Sequence, residues 1–304
     1  MDEAQKYFVV GTPIAHSLSP RLHNAVYQEL GLARELEPHD PKDAAGFADL
    51  ISRLRAGELA GICSTIPYKL AALRACDTLT PPAQRTGAVN YIRREVDGSL
   101  RGDNTDAQGF AQALKRELDF NSAQKTAVVC GSGGASRAIV DALIQEGALS
   151  IALVSRDPAK AAREWKIPNL SHKQTSKFML EPLTVSERHS TSLGTTTTLG
   201  AIDYETLEHT DTYIDLLVNS TPLGMNDERM PVSKAWLHST GPAIYDAVYR
   251  KEGTTPLVAA AREVGIPASD GRSMLIEQAI LGMRFWGVNT EPTLLRSIID
   301  ISLA

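Results

Sequence analysis

The chain has 304 residues, 43% hydrophobic and 22% charged, the make-up of an ordinary globular protein and enough for two domains of roughly 100–200 residues. A formal net charge of −5 argues against a nucleic-acid or membrane-surface partner, which needs a basic face. Cys63, Cys76 and Cys130 show no metal-ligand spacing and no even framework, so no metal is expected and a reducing compartment fits. The N-terminus lacks a signal-peptide apolar region and no apolar run reaches membrane-spanning length, so a soluble, cytoplasmic protein is expected.

Strands and helices alternate from the start, the signature of an α/β fold. Residues 7–10 predict a strand, turned by Gly11-Thr12-Pro13. From Pro20 to Leu30, Leu22, Ala25, Val26 and Leu30 share one helix face, with Ser19 as the expected N-cap. Residues 47–54 predict a second amphipathic helix, and 59–66 a strand running into Pro67. Segments 88–93 and 100–102 flank Asp97-Gly98, a strong hairpin turn. A helix from Asp106 to Leu118 bridges toward a second domain beginning near residue 125. The stretch from about 168 to 212 has the least pattern; within it, His189 to Leu199 reads as a mobile surface loop in an insertion. Buried strands resume at 216–222 and 243–249, and 273–286 predicts a long apolar helix that packs back on the first domain. The expected boundaries are 1–106, 107–270 and 271–304, with a cleft between the two domains.

Gly131-Ser132-Gly133-Gly134-Ala135-Ser136-Arg137 carries the strongest single signal. It joins a strand-like run, 126–130, to a helix-like run from Ala138. That layout sets a diphosphate on a helix N-terminus, where the dipole and free N–H groups attract anions and glycines let the phosphate approach. The pattern is G-x-G-G-A-S rather than G-x-G-x-x-G, and a tight βα turn uses glycines for its own sake as well. The next strand, 150–154, runs into Ser155-Arg156-Asp157-Pro158-Ala159-Lys160, where such folds read the adenosine ribose. Arg156, with Lys160, favours the 2′-phosphate of NADP; Asp157 keeps NAD open unless it only caps the helix that begins at Pro158.

Seven motifs follow in order along the chain. They are Gly11–Pro20 with His23-Asn24, Thr65-Ile66-Pro67-Tyr68-Lys69, Gly87-Ala88-Val89-Asn90, Gly102–Phe110, Asn219–Met225, Tyr245–Tyr249 and Asp270–Ala279. Together they resemble the shikimate dehydrogenases, which interconvert 3-dehydroshikimate and shikimate, and their quinate-oxidising relatives, over nearly the whole chain apart from the 168–212 stretch. The resemblance implies an N-terminal α/β substrate-binding domain plus a Rossmann-type doubly wound NAD(P)-binding domain. NADP is the implied cofactor, with NAD as an alternative, and the substrate is a small hydroxylated ring acid. A monomer or homodimer is expected. On the matching positions, Lys69 is the implied general acid/base and Asp106 its partner. Ser17 and Ser19 face the substrate carboxylate, and Thr65, Asn90, Gln278 and Tyr249 its ring hydroxyls. Gly131, Gly133, Gly134, Ala135, Ser155, Arg156, Asp157, Lys160, Thr221, Val248 and Gly271 are placed around the cofactor, with Asn219 beside Thr221 on its nicotinamide side.

Oxidising a secondary alcohol sends a hydride to nicotinamide and a proton to a base. Lysine serves as that base near neutral pH when desolvated, and a neighbouring carboxylate opposes the desolvation. Each residue also has a purely structural reading. Lys69 suits a solvent-facing helix N-terminus, and Asp106 a helix N-cap with Asn104 and Thr105 in turn contacts. Ser17 and Ser19 suit capping before Pro20, 219–222 an ordinary strand-ending turn, and Gln278 a bond to a backbone carbonyl. Two departures stand out: Cys63-Ser64 where the family usually has Asn then Val, and Tyr91 where threonine is common. The tyrosine either narrows the site or packs behind it. Quinate oxidation with NAD and turnover of an amino analogue of shikimate remain as alternatives. A non-catalytic ligand sensor is the alternative of another class; it should show a broken Lys/Asp pair or a damaged glycine loop, and neither is present.

Overall fold

The computed structural model describes residues 4–15, 17–165, 197–210 and 212–303. The chain divides into two compact units, Met1–Phe110 with Leu275–Ala304, and Ala111–Met274.

The first unit is built on β1 (Gln5–Val10), β2 (Arg34–His39), β3 (Gly61–Ser64), β4 (Thr78–Leu79), β5 (Tyr91–Arg94) and β6 (Leu100–Asp103), in the order β2-β1-β3-β5-β6-β4. Only β5 runs against its neighbours. Side chains of β1 alternate between two apolar layers, as the strand period requires. Tyr7 and Val9 pack with Leu22, Val26 and Tyr27 of α1 (Ser19–Glu29), with Met283 of α11 (Arg272–Phe285), and with Leu295 and Ile299 of α12 (Pro292–Leu303). Phe8 and Val10 pack with Phe47, Leu50 and Leu54 of α2 (Ala44–Ala56). Both faces are covered, so β1 reads as an apolar run from Tyr7 to Val10.

Two local expectations change. Leu18 rather than Ser19 holds the cap position of α1; Ser19 is its first residue, and Ser17 Oγ accepts the Ser19 N–H at 3.2 Å. The strand β2 has no counterpart among the predicted elements. Its sequence, Arg-Glu-Leu-Glu-Pro-His, buries only Leu36, because it is an edge strand whose other positions face water and whose proline needs no ladder partner.

The second unit is a fully parallel sheet of β7 (Thr126–Cys130), β8 (Ser150–Val154), β9 (Thr198–Ile202), β10 (Leu216–Asn219), β11 (Ala243–Asp246) and β12 (Ala268–Ser269). Their order, β12-β11-β10-β7-β8-β9, is doubly wound, and the winding reverses between β7 and β10. Ligands of such sheets bind outside the strand C-termini at that reversal. The end of the expected loop, Thr198-Leu199, is instead strand. Thr198 and Leu199 open the edge strand β9, pairing in parallel with Ser150 and Ile151, and a five-residue edge strand leaves little periodicity to detect. Of the rest of the expected loop and insertion, residues 200–210 are described and hold the end of β9 and the short helix Tyr204–Glu208, whereas 168–196 and 211 lie outside the described residues. Among the described residues, no helix is long and apolar enough to cross a membrane.

Candidate active site

β3 ends at Ser64, and the turn from Thr65 to Tyr68, closed by Tyr68 N–H donating to Thr65 O at 2.7 Å, leads into α3 (Lys69–Ala75). Lys69 is therefore the first helical residue, but it does not face solvent. Its side chain is 13% exposed, and Nζ donates to Asp106 Oδ2. Asp106 opens α5 (Asp106–Leu118). Asn104 Oδ1, not the Asp106 carboxylate, takes the Asp106 N–H at 3.1 Å, so the turn's own needs are met and the carboxylate is left for the lysine.

Asn90 orders this pair. Its Nδ2 donates to Asp106 Oδ1 at 3.0 Å and Thr105 Oγ1 at 2.9 Å, while its Oδ1 accepts Thr105 N–H at 2.9 Å. Thr105 Oγ1 in turn donates to Gln278 O at 3.0 Å, tying the start of α5 to α11. Gly109 permits that approach: a Cβ there would stand 2.8 Å from Gln278 N. Gln278 is 7% exposed; its Nε2 donates to Leu275 O at 2.8 Å, the backbone-partner reading, and its Oε1 lies 3.5 Å from Asn90 Nδ2. Removing either member of a buried ion pair leaves an uncompensated charge, so this arrangement is fixed by its mutual dependence.

The remaining expected substrate residues of this unit sit at the same edge of the sheet. The turns after β1 and β3 press together, with Thr65 N–H donating to Val10 O at 2.8 Å and Thr12 N–H to Ile66 O at 3.1 Å. Gly11 is required there, since a Cβ would lie 2.6 Å from Thr65 Cγ2. Ser17 is half-buried and Ser19 buried at the start of α1. Tyr249 belongs to the other unit, half-buried beyond β11.

Tyr91 packs behind the site. It is fully buried, edge-on to Trp286 at 4.7 Å, and its hydroxyl meets His23 Nε2 at 3.1 Å. His23 Nδ1 lies 2.8 Å from Ser19 O, and burial pushes its imidazole down to about 4. Cys63 faces Tyr91 across the antiparallel pair in the core, where burial pushes its thiol up to about 12. Ser64 Oγ donates to Val89 O at 2.6 Å. Both departures from the family pattern are thus absorbed by packing and backbone bonds.

In the second unit, Gly131 takes a left-handed φ of +114°, and a Cβ on it would stand 2.7 Å from Ser220 Oγ. Ser220 Oγ donates to Cys130 O at 2.6 Å and meets Ser136 Oγ at 2.7 Å, fastening the glycine turn after β7 to the end of β10. Gly133 caps α6 (Gly134–Gln145) without any side-chain bond to the first-turn N–H groups, and a Cβ on it would meet nothing within 4 Å. An open, uncapped helix N-terminus at the sheet's reversal point, with Gly134 and Ala135 as its first residues, fits a diphosphate. After β8, Asp157 Oδ1 accepts Lys160 N–H at 2.8 Å as the cap of α7 (Pro158–Glu164), and Ser155 Oγ accepts Asp157 N–H at 3.1 Å. Arg156 is exposed and forms no ion pair among the described residues, while Lys160 only approaches Glu164 at 3.8 Å. The carboxylate is spent on the helix; the guanidinium is not.

Other expected cofactor residues have structural duties. Gly271 is forced by the Ala247 carbonyl, 2.3 Å from where its Cβ would stand, and its N–H donates to Val248 O at 2.9 Å. Val248 is buried, and Thr221 Oγ1 donates to Asn219 Oδ1 at 2.7 Å in a strand-ending turn. Asn219, expected beside the nicotinamide, is fully buried and donates to Asp246 Oδ1 at 2.9 Å; it holds the sheet rather than facing a ligand. Ser136 and Ser220 went unrecognised in the sequence, where their only mark is a hydroxyl just after a strand or glycine turn. Among the described residues, no group of three or more His, Cys, Asp or Glu is placed to hold a metal.

These features define a two-unit α/β protein of the dinucleotide-binding type, with a largely buried Lys–Asp ion pair. The family model for the shikimate dehydrogenase substrate binding domain matches residues 9–92. The chain is 33% identical over 298 residues to the NADP(+) shikimate dehydrogenase of Geobacter sulfurreducens, covering 97% of this chain and 96% of that one. It is 36% identical over 283 residues to that of Methylobacterium radiotolerans, covering 92% and 90%. The crystal structure of the Thermus thermophilus shikimate 5-dehydrogenase, in complex with NADP(H) and shikimate, aligns with a TM-score of 0.75 at 29% identity, covering 98% and 99%. The chain belongs to the shikimate dehydrogenase family.

Proposed function

We propose that this protein interconverts 3-dehydroshikimate and shikimate with NADP(H). The observation that carries the reading is the Lys69–Asp106 pair, buried and oriented by Asn90, in a chain related over nearly all its length to NADP(+) shikimate dehydrogenases. Bound NADPH supplies the hydride that reduces the ring ketone. Lys69 delivers the proton to the ketone oxygen, and in the reverse direction its neutral amine takes the proton from the alcohol. Asp106 holds Lys69 Nζ in place and accepts from the reacting hydroxyl. Asn90 keeps the carboxylate from rotating away. Ser17 and Ser19 receive the substrate carboxylate; Thr65, Asn90, Gln278 and Tyr249 read the ring hydroxyls.

The diphosphate sits on the Gly131–Ala135 turn and the N-terminus of α6. Arg156 and Lys160 take the 2′-phosphate, which favours NADP over NAD because Asp157 is already engaged. Thr221, Val248, Gly271 and Ser155 complete that site. The units are assigned accordingly, the first to substrate and the second to cofactor, and the protein acts in the cytoplasm as a monomer or homodimer. Steady-state assays with shikimate and quinate against NADP and NAD test the reading. Shikimate with NADP should give the highest kcat/KM. A preference for quinate with NAD, or binding with no turnover of any pair, overturns it.

A further inference from the structure

A groove of about 790 Å³ opens at the opposite edge of the first unit's sheet from Lys69 and Asp106. It is framed by the starts of β1 and β2, the approach to β3 and the end of antiparallel β5. Lys6, Arg34, Arg53, Arg93 and Arg94 line it against a single lining carboxylate among the described residues, Glu58, in a chain whose net charge is −5. Arg53 pairs with Glu58 at 3.0 Å, and Arg93 with Glu95 at 2.9 Å. The other guanidinium hydrogen bonds are to main-chain carbonyls: Arg34 Nη1 to Trp286 O at 3.1 Å, Arg93 Nη1 to Phe285 O at 2.9 Å, and Arg94 Nε to Arg55 O at 3.0 Å and Nη1 to Glu95 O at 3.4 Å. Arg34, Arg53 and Arg93 also lie over the rings of Tyr7, Phe8 and Phe285, which leaves Arg94 without a ring partner among the described residues. A carbonyl orients a guanidinium without neutralising it.

Capping the C-terminus of α11 accounts for Arg34 and for part of Arg93. It does not account for Lys6 or Arg94. The Arg94 guanidinium lies over Gly57 and Gly98, where a Cβ would stand 3.7 Å and 3.4 Å from it, so neither neighbour carries a side chain to cover it. Held forks with unspent donors bind phosphate or carboxylate oxygens at low ordering cost.

We propose that this groove is a second binding site, separate from the substrate and cofactor sites, for a small anion bearing two or more negative groups, phosphate or carboxylate. Lys6 and Arg94 are its principal cations with no ion pair among the described residues. Calorimetric titration of the full chain with pyrophosphate and with citrate, with saturating NADP to fill the diphosphate site, tests it. One-to-one binding in the roughly millimolar range or tighter is expected for at least one of the two. Arg94→Gln and Lys6→Ala should each weaken that binding by about tenfold and leave kcat unchanged. The anion-induced rise in Tm should vanish in the double variant. A preference for one anion supports the site and identifies phosphate or carboxylate as its chemistry. Binding of neither anion, affinity in both variants unchanged from the unaltered protein, or the same Tm rise from acetate at matched ionic strength overturns the proposal.

Discussion

Gly282→Ala tests directly whether Tyr91 is a packed support behind the site. A Cβ at position 282 would stand 2.0, 2.2 and 2.5 Å from the Cζ, Cε1 and Cε2 atoms of the Tyr91 ring. Ordinary carbon contacts need about 3.5–4.0 Å, so the ring must retreat by roughly 1.5 Å. It has no room: Trp286 stands edge-on at 4.7 Å, and the hydroxyl is bonded to buried His23. Position 282 lies inside α11, where alanine alone gains about 1 kcal/mol over glycine. Overpacking costs about 1–3 kcal/mol, and so close an approach puts the cost at the upper end, for a net loss of about 2 kcal/mol. In a Tyr91→Thr background the ring is gone, and the same substitution should be neutral or stabilising by up to about 1 kcal/mol. Urea unfolding of the four proteins at one pH reads this as a shift in midpoint with the slope preserved. An equal effect in both backgrounds, or stabilisation by Gly282→Ala alone, refutes the packing argument.

Three further outcomes are expected. Gly131→Ala, at φ +114° and against Ser220, should weaken NADP binding at least tenfold, by fluorescence titration, with little change in shikimate binding. Arg156→Ala should raise KM for NADP by about tenfold or more and leave KM for NAD nearly unchanged; equal effects on both cofactors would contradict its role at the 2′-phosphate. His23 is held neutral, its imidazole depressed to about 4 from an ordinary 6.5. Its contribution to stability is therefore complete above pH 6.5 and is lost as the pH falls toward 4, by about 1.4 kcal/mol per pH unit. His23→Gln should flatten that part of the stability profile, measured by urea unfolding at stepped pH.

Much of this was legible in the sequence because the elements that carry the site are strongly patterned. The apolar run of β7, the glycine turn and the start of α6 could be read together, and α5 begins and ends where its periodicity does. Lys69 and Asp106 were readable as residue types in ordered motifs, but not their burial, since the same positions suit exposed helix starts. Asn104 shows why: it takes the capping duty that would otherwise have occupied Asp106. The edge strands β2 and β9 were hidden, because one buries a single side chain and the other is too short for a period to show. Asn219 was misplaced for a different reason. Its neighbourhood is set by Asp246, 27 residues away on the adjacent strand, and no local pattern records that pairing.

In the proposed reaction, one largely buried amine, steadied by one carboxylate, moves the proton. Turnover of shikimate with NADP by Lys69→Ala, alongside its shikimate Kd, is the most direct measurement. In this variant kcat should drop on the order of 10²–10⁴-fold with Kd largely unchanged. A kcat equal to that of the unaltered protein would contradict it.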